Sequence, residues 1–113
     1  MTLNQLEYFC AVCRCHSITK AAVMGMVRSL AVDFAPYGIT VNGIAPGYVM
    51  TPMVEKVFAD NPAQKDYVYG RTPSKVKMGS LEEMANAIYF LCSPVTEYTT
   101  GQTLILDGGW SIQ

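Results

Sequence analysis

Arg28-Ser-Leu-Ala-Val-Asp-Phe-Ala-Pro36-Tyr-Gly38-Ile-Thr-Val-Asn42-Gly-Ile-Ala45-Pro46-Gly47 decides how the chain is read. Its first half continues a stretch rich in Ala, Met and Leu that starts near Ser17, a helical composition that ends at about Ala35, before Pro36 and Gly38. Its second half, Gly38 to Ala45, is short and β-branched, with glycine before it and Pro46-Gly47 after it. That pattern reads as a strand feeding a tight loop. A helix running directly into a strand is half of a crossover unit, and crossover units build parallel sheets covered by helices.

The same grammar extends outward. Pro52 suits the first turn of a short helix reaching about Ala59, and Asp60 to Met78 carries Pro62, Gly70 and Pro73 with no sustained period, which reads as a loop. Together residues 52–79 read as a lid. Ser80-Leu-Glu-Glu83 is a capping box, and Leu81, Met84, Ala85, Ile88 and Leu91 mark the buried face of a helix that stops before Pro94. Cys92 falls in that apolar pattern and reads as core. Thr103-Leu-Ile-Leu-Asp107 is continuously apolar in its middle, as expected of a strand covered on both faces, and Gly108-Gly109 breaks it off. Upstream, Leu3, Leu6, Phe9, Cys10 and Cys13 recur at helical spacing and predict a first amphipathic helix over about residues 3–15. The expected fold class is α/β: an incomplete Rossmann-like fragment, its helices packed on a small parallel sheet of two strands, about 38–45 and 102–107. Two strands make a marginal sheet, so the fold reads as missing a part.

Composition narrows the function. The 113 residues are half hydrophobic and 15% charged, one globular domain at most. Lysine plus arginine come to 8 against 9 acidic residues, leaving no positive excess for phosphates or an anionic membrane, so neither nucleic acid nor a bilayer is expected as a partner. No apolar run approaches the length of a membrane span, and Met1-Thr-Leu-Asn-Gln5 lacks the basic and apolar regions of a secretory signal. A cytoplasmic protein with reduced thiols is therefore expected. Cys10, Cys13, Cys15 and His16 offer four metal-ligand side chains in seven residues, but position 15 lies about 200° around a helix from position 13. Tetrahedral sites draw ligands from two separated pairs, so no metal is expected there.

The Pro46-Gly47 loop sits where open α/β sheets bind ligands, beyond the carboxyl end of a strand. Gly47 permits close backbone approach, and Thr51 offers a hydroxyl just before a helix start.

From Thr19 onward an ordered set of motifs resembles the C-terminal part of the short-chain dehydrogenase/reductase family. Thr-Lys20-Ala-Ala-Val is similar to the end of that family's Tyr-x-x-x-Lys helix, and Arg28 to Asn42 to the rest of that helix and the next strand. Pro46-Gly-Tyr-Val-Met-Thr51 resembles the loop at the nicotinamide end of the cofactor, while Gly101-Gln102 and Asp107-Gly-Gly109 resemble the last strand. The resemblance implies hydride transfer between NAD or NADP and a small alcohol or carbonyl substrate. It implies that Pro46, Gly47 and Val49 present backbone groups to the nicotinamide carboxamide and that Thr51 reaches the carboxamide or phosphate side. It implies that Lys20 takes the role of the family lysine, which holds the cofactor ribose and lowers the pKa of a tyrosine four residues earlier. Here that earlier position is His16, a proton carrier of different reach. Substrate contacts are expected from the lid, where Tyr67, Tyr69, Arg71 and Met78 lie, with Met53 and Val54 ahead of them.

Within the 113 residues there is no Gly-rich turn between a strand and a helix, and no acidic residue about 20 positions beyond one, so nothing is expected to grip a dinucleotide's phosphates. The chain is accordingly expected to be inactive by itself. Met1 to Val12 and His16 to Ala22 resemble instead the opening of LysR-type transcriptional regulators, overlapping the first resemblance at Thr19-Lys20-Ala21-Ala22. This divides the chain into an N-terminal helix of separate origin, residues 1–18, and a dehydrogenase segment, residues 19–113. Two further readings follow. An open strand edge at 38–45 would make the chain an interaction module or a homo-oligomer. A helix-turn-helix remnant would bind DNA in a salt-dependent way, although the recognition helix is absent.

Overall fold

The computed structural model describes residues 8–12 and 18–113, with side chains described from residue 21 onward. Seven elements follow one another: β1 (Tyr8–Val12), α1 (Ile18–Phe34), β2 (Thr40–Pro46), α2 (Pro52–Asp60), α3 (Pro62–Arg71), α4 (Leu81–Leu91) and β3 (Thr103–Leu106). Single 3-10 turns cover Ala35–Tyr37, Pro94–Thr96 and Trp110–Ile112. The three strands form one parallel sheet in the order β1-β2-β3, with Tyr8 opposite Thr40 and Val12 opposite Ile44 on one side of β2. On the other side Gly43 stands opposite Thr103 and Pro46 opposite Leu106, so the strand expected to expose an open edge at 38–45 is instead the middle one, paired on both sides.

The expected α/β fragment is present, and both expected strands are in place. The sheet differs by one strand. Tyr8-Phe-Cys-Ala-Val12 is β1, not part of a helix over 3–15. Five consecutive apolar or aromatic residues satisfy a buried strand as well as a helix turn, and periodicity alone does not separate the two. Parallel pairing with β2 settles it. The remaining residues of that expected helix, together with Cys13, Cys15 and His16, lie outside the described residues.

β2 is the centre of the molecule: Thr40 through Ala45 are all buried. Its alternation divides the core between the two faces. On one face Val41 packs with Val27 and Ala31 of α1, flanked by Val23, Leu30 and Ile39. On the other Ile44 packs with Met84, Ala87 and Leu91 of α4, flanked by Val49, Ile88 and Leu106. The result is a helix-sheet-helix sandwich. Asn42, 1% exposed, faces the α4 side and is satisfied there: its Nδ2 donates to the Thr99 carbonyl (2.9 Å) and its Oδ1 accepts the Gln102 N–H (3.1 Å). This side chain ties the middle strand to the segment leading into β3.

Four local expectations need correction. Residues 62–71, read as loop, are helix α3. Pro62 occupies its first turn, where a missing N–H costs nothing, and the Asn61 Oδ1 caps it by accepting the Gln64 N–H (3.4 Å). Gly70 and Pro73 bracket the helix end, so they punctuate this helix and do not preclude it. In α4 the Ser80 Oγ accepts the Glu83 N–H (3.0 Å) as expected, but the buried stripe is Met84, Ala87 and Leu91, with Leu81 60% exposed. Cys92 is the C-cap of α4 and only half-buried. Strand β3 is covered on part of its surface only, since Leu104 and Ile105 remain 40% and 43% exposed. Among the described residues no helix is long and apolar enough to cross a membrane.

Candidate functional site

Pro46 closes β2, the middle strand, so the loop that follows leaves the carboxyl end of the sheet at its centre. A close backbone approach shapes this exit. The Gly47 N–H donates to the Leu106 carbonyl (2.9 Å), and a Cβ placed on Gly47 would lie 2.8 Å from both Cα and Cβ of Asp107. Only glycine lets the two strand ends run this close together.

Beyond Gly47 the chain stays extended and makes a parallel bridge between Val49 and Gly79, the residue just before the Ser80 cap. The Gly79 N–H donates to the Tyr48 carbonyl (2.8 Å) and the Met50 N–H donates to the Gly79 carbonyl (2.9 Å). In such a bridge the central residue's own N–H and C=O point the opposite way. Val49 therefore turns one donor and one acceptor away from Gly79. Thr51 ends the loop as the N-cap of α2, its Oγ1 accepting the Val54 N–H (3.2 Å), which leaves the hydroxyl hydrogen as the group it has to offer.

Pro46, Gly47, Val49 and Thr51 thus form one continuous wall, and Lys20 belongs to the same end of the fold. The β1-α1-β2 crossover runs its helix antiparallel to the strands, so the first turn of α1, which carries Lys20, stands at the carboxyl end of the sheet. His16 lies outside the described residues.

The lid residues separate into two groups. Tyr69 packs edge-on against Phe58 (6.4 Å between centroids), joining α3 to α2, with the Lys65 ammonium 5.3 Å from its ring. Tyr67 and Arg71 turn to the other side, where the Arg71 Nη1 donates to the Tyr67 hydroxyl (2.9 Å). Met53 is 67% exposed at the start of α2, beside the half-buried Val54.

A cavity of about 440 Å³ opens between residues 72–79, the end of β3 and the C-terminal turn, lined by Tyr48, Lys77, Glu83, Ile105, Asp107 and Ser111 among others. Of the loop Tyr48 lines it, while Pro46, Gly47, Val49 and Thr51 do not, so the cavity adjoins the loop without being formed by those four residues. Sequence reasoning missed Asp107 as the residue that requires Gly47, Gly79 as the partner that orients Val49, and Trp110. Two residues 60 positions apart carry the first signal and two 30 apart the second, distances that local spacing rules do not bridge.

A parallel sheet covered by helices on both faces, with a glycine loop at the carboxyl end of its central strand, defines an α/β protein with a Rossmann-like sheet. Residues 6–111 match the family profile described as enoyl-(acyl carrier protein) reductase. The chain belongs to the short-chain dehydrogenase/reductase family. It is 43% identical over 96 residues to a chloroplastic tropinone reductase homolog of Arabidopsis thaliana, covering 85% of this chain and 29% of that protein. It is also 43% identical over 91 residues to a 3-oxoacyl-(acyl-carrier-protein) reductase of Rickettsia bellii, covering 80% and 36%. Among solved structures, a gluconate 5-dehydrogenase from Burkholderia cenocepacia in complex with NADP and tartrate superposes with a TM-score of 0.82 at 31% identity, over 94% of this chain and 45% of that one. A 3-oxoacyl-(acyl-carrier protein) reductase from Brucella melitensis gives 0.83 at 29%, over 94% and 42%. The chain therefore spans about a third of these curated relatives and less than half of these solved ones. The match reaches back to residue 6, well before the Thr19 at which the sequence motifs begin.

Proposed function

We propose that this chain supplies the nicotinamide-facing wall and the lid of an NAD(P)-dependent short-chain oxidoreductase acting on a small alcohol or carbonyl compound. One observation carries the reading: the Gly79 bridge turns the Val49 N–H and C=O away from itself, beside a glycine loop at the tip of the central strand. A carboxamide carries one acceptor and one N–H donor pair, the complement of what Val49 offers. The relatives superposing over 94% of the chain, one of them with NADP bound, support the choice of ligand.

When bound, the dinucleotide supplies or accepts the hydride. The chain's own residues then do three things. Pro46, Gly47 and Val49 orient the nicotinamide through backbone groups, and the Thr51 hydroxyl donates outward while its oxygen caps α2. Lys20, at the same end of the sheet, places a cation beside the ribose and favours the charged form of any proton donor it faces that becomes an anion. His16 is the proton carrier that the sequence offers four residues before it.

The residues present fit the nicotinamide end of the cofactor and not its phosphate end, because the 113 residues contain no Gly-rich turn between strand and helix. Binding through a few backbone contacts alone is expected at roughly millimolar strength, and the chain by itself is expected to be catalytically inert. Titration of the purified chain with NADH and NADPH, followed by amide chemical shifts, tests this. The Val49 N–H should move with added dinucleotide while those of α4's outer face stay still. Saturable micromolar binding, or a Val49 amide that does not move at ten millimolar ligand, would overturn it.

A further inference from the structure

Helix α3 buries a single side chain, Val68, yet it is fastened at its C-terminal turn by a cluster that the cofactor reading does not use. The Arg71 guanidinium lies 5.0 Å from the centroid of the Trp110 ring and 5.8 Å from that of Tyr67, and its Nη1 donates to the Tyr67 hydroxyl at 2.9 Å. Trp110 meets Tyr67 edge-on at 6.1 Å and Tyr48 at 5.2 Å. Tyr48 belongs to the Pro46–Thr51 loop, Tyr67 and Arg71 to the lid, and Trp110 to the C-terminal turn. One indole of the C-terminal turn therefore touches both the loop and the lid.

The turn that delivers the indole is itself held. Gly108 and Gly109 take φ of 61° and 87°, a conformation that other residues adopt only with strain. The Asp107 carboxylate accepts the Gly109 N–H (3.0 Å) and the Ser111 N–H (2.9 Å). The Ser74 N–H donates to the Gly108 carbonyl (3.0 Å), and a Cβ on Gly109 would come within 3.3 Å of Pro73. The turn is thus docked on the residues by which the chain leaves α3. A planar guanidinium suits this place: it stacks and hydrogen-bonds at once, where a lysine ammonium would do one or the other.

We propose that Trp110 and Arg71 form a clamp that fixes how far lid helix α3 stands from the Pro46–Thr51 loop, and that both are positioning residues for whatever enters between the two. The part played in a substrate crevice rests on the loop being the nicotinamide wall; the clamp itself does not. Its test uses no cofactor. Trypsin cleaves after Lys65 in the middle of α3 only when that helix opens, and Trp110 is the chain's sole tryptophan, so proteolysis reads the lid and emission reads the clamp.

Arg71→Gln and Trp110→Ala should each raise the rate of cleavage after Lys65 about fivefold, and the double variant should add little to either. Trp110→Tyr should restore the parent rate. Arg71→Gln should also steepen quenching of Trp110 by acrylamide, a neutral quencher that the lost charge does not repel or attract. If Trp110→Ala does not fold, the exposed Arg71→Gln carries the test alone. Parent-like cleavage and quenching in Arg71→Gln, or effects that multiply in the double variant, would overturn the clamp. A flat titration with NADPH would sink the cofactor wall and leave these results unchanged, so the two ideas fail separately.

Discussion

Replacing Gly47 by alanine adds one methyl group where the ends of β2 and β3 converge. That carbon would sit 2.8 Å from both Cα and Cβ of Asp107, roughly 0.7 Å inside the inner edge of favourable carbon contact. The obstacle is partly backbone, so no rotamer change relieves it. The strand ends must part, which stretches the Gly47 N–H bond to the Leu106 carbonyl from its 2.9 Å. Overpacking costs about 1–3 kcal/mol and the weakened hydrogen bond about 0.5–1.5, together roughly 2–4 kcal/mol. A domain of this size has on the order of 6–17 kcal/mol to lose, so the melting temperature should drop by on the order of 10 °C. Urea unfolding followed by Trp110 emission and by helical circular dichroism measures it. Gly25→Ala is the control: it lies within α1 with nothing inside 4 Å of the added carbon, and should gain about 0.5–1 kcal/mol. If Gly47→Ala unfolds within 0.5 kcal/mol of the parent, the close approach does not shape the loop.

Asn42→Ala should cost about 2–4 kcal/mol, because it removes two hydrogen bonds and leaves the Thr99 carbonyl and Gln102 N–H without them; urea melts check this. Ser80→Ala should cost about 1 kcal/mol through the lost cap on Glu83, with Ser80→Asp near neutral, read from thermal melts. Burial pushes the Cys92 thiol above its ordinary range, so its iodoacetamide labelling should keep rising with pH after that of free cysteine has levelled off. The folded form thereby disfavours the thiolate: stability is untouched below the ordinary thiol range and falls as pH rises above it, a slope that Cys92→Ser should remove.

The sequence shows most plainly what is local. The boundary of α1 at Pro36, the strand ahead of Pro46-Gly47 and the Ser80 cap are each written within a few residues, and each stands where its signals put it. One failure was decided at a distance. Tyr8–Val12 became a strand because β2 offers an edge to pair with, and helical spacing in Leu3, Leu6 and Phe9 carries no information about that edge. Helix α3 differs for a local reason: Pro62, Gly70 and Pro73 read as breakers spread through a loop, but their separations match the start, the last turn and the exit of one ten-residue helix. The loop of the site was legible through Pro46-Gly47. Its orientation was not, because that depends on Gly79 and Asp107.

Wall and lid are held by different physics, and this bears on how such a site works. The wall hangs from β2, whose residues 40–45 are buried, whose Asn42 is tied to the segment leading into β3 and after which Gly47 is tied to β3 itself. To move it, the sheet must come apart. Helices α2 and α3 of the lid bury only Phe58 and Val68, and are otherwise held by edge-on rings, an exposed arginine and, just past α3, the Ser74 N–H bond to the Gly108 carbonyl. Elements with so few buried contacts open at a small fraction of the global stability. On the proposed function, a fixed wall facing a lightly clamped lid would let a ligand enter without disturbing the groups that orient it. Among the described residues the contacts that shape the wall from Gly47 to Val49 come from β2, β3, Asp107, Gly79 and the Ser80 cap, and none of these comes from the lid helices α2 and α3.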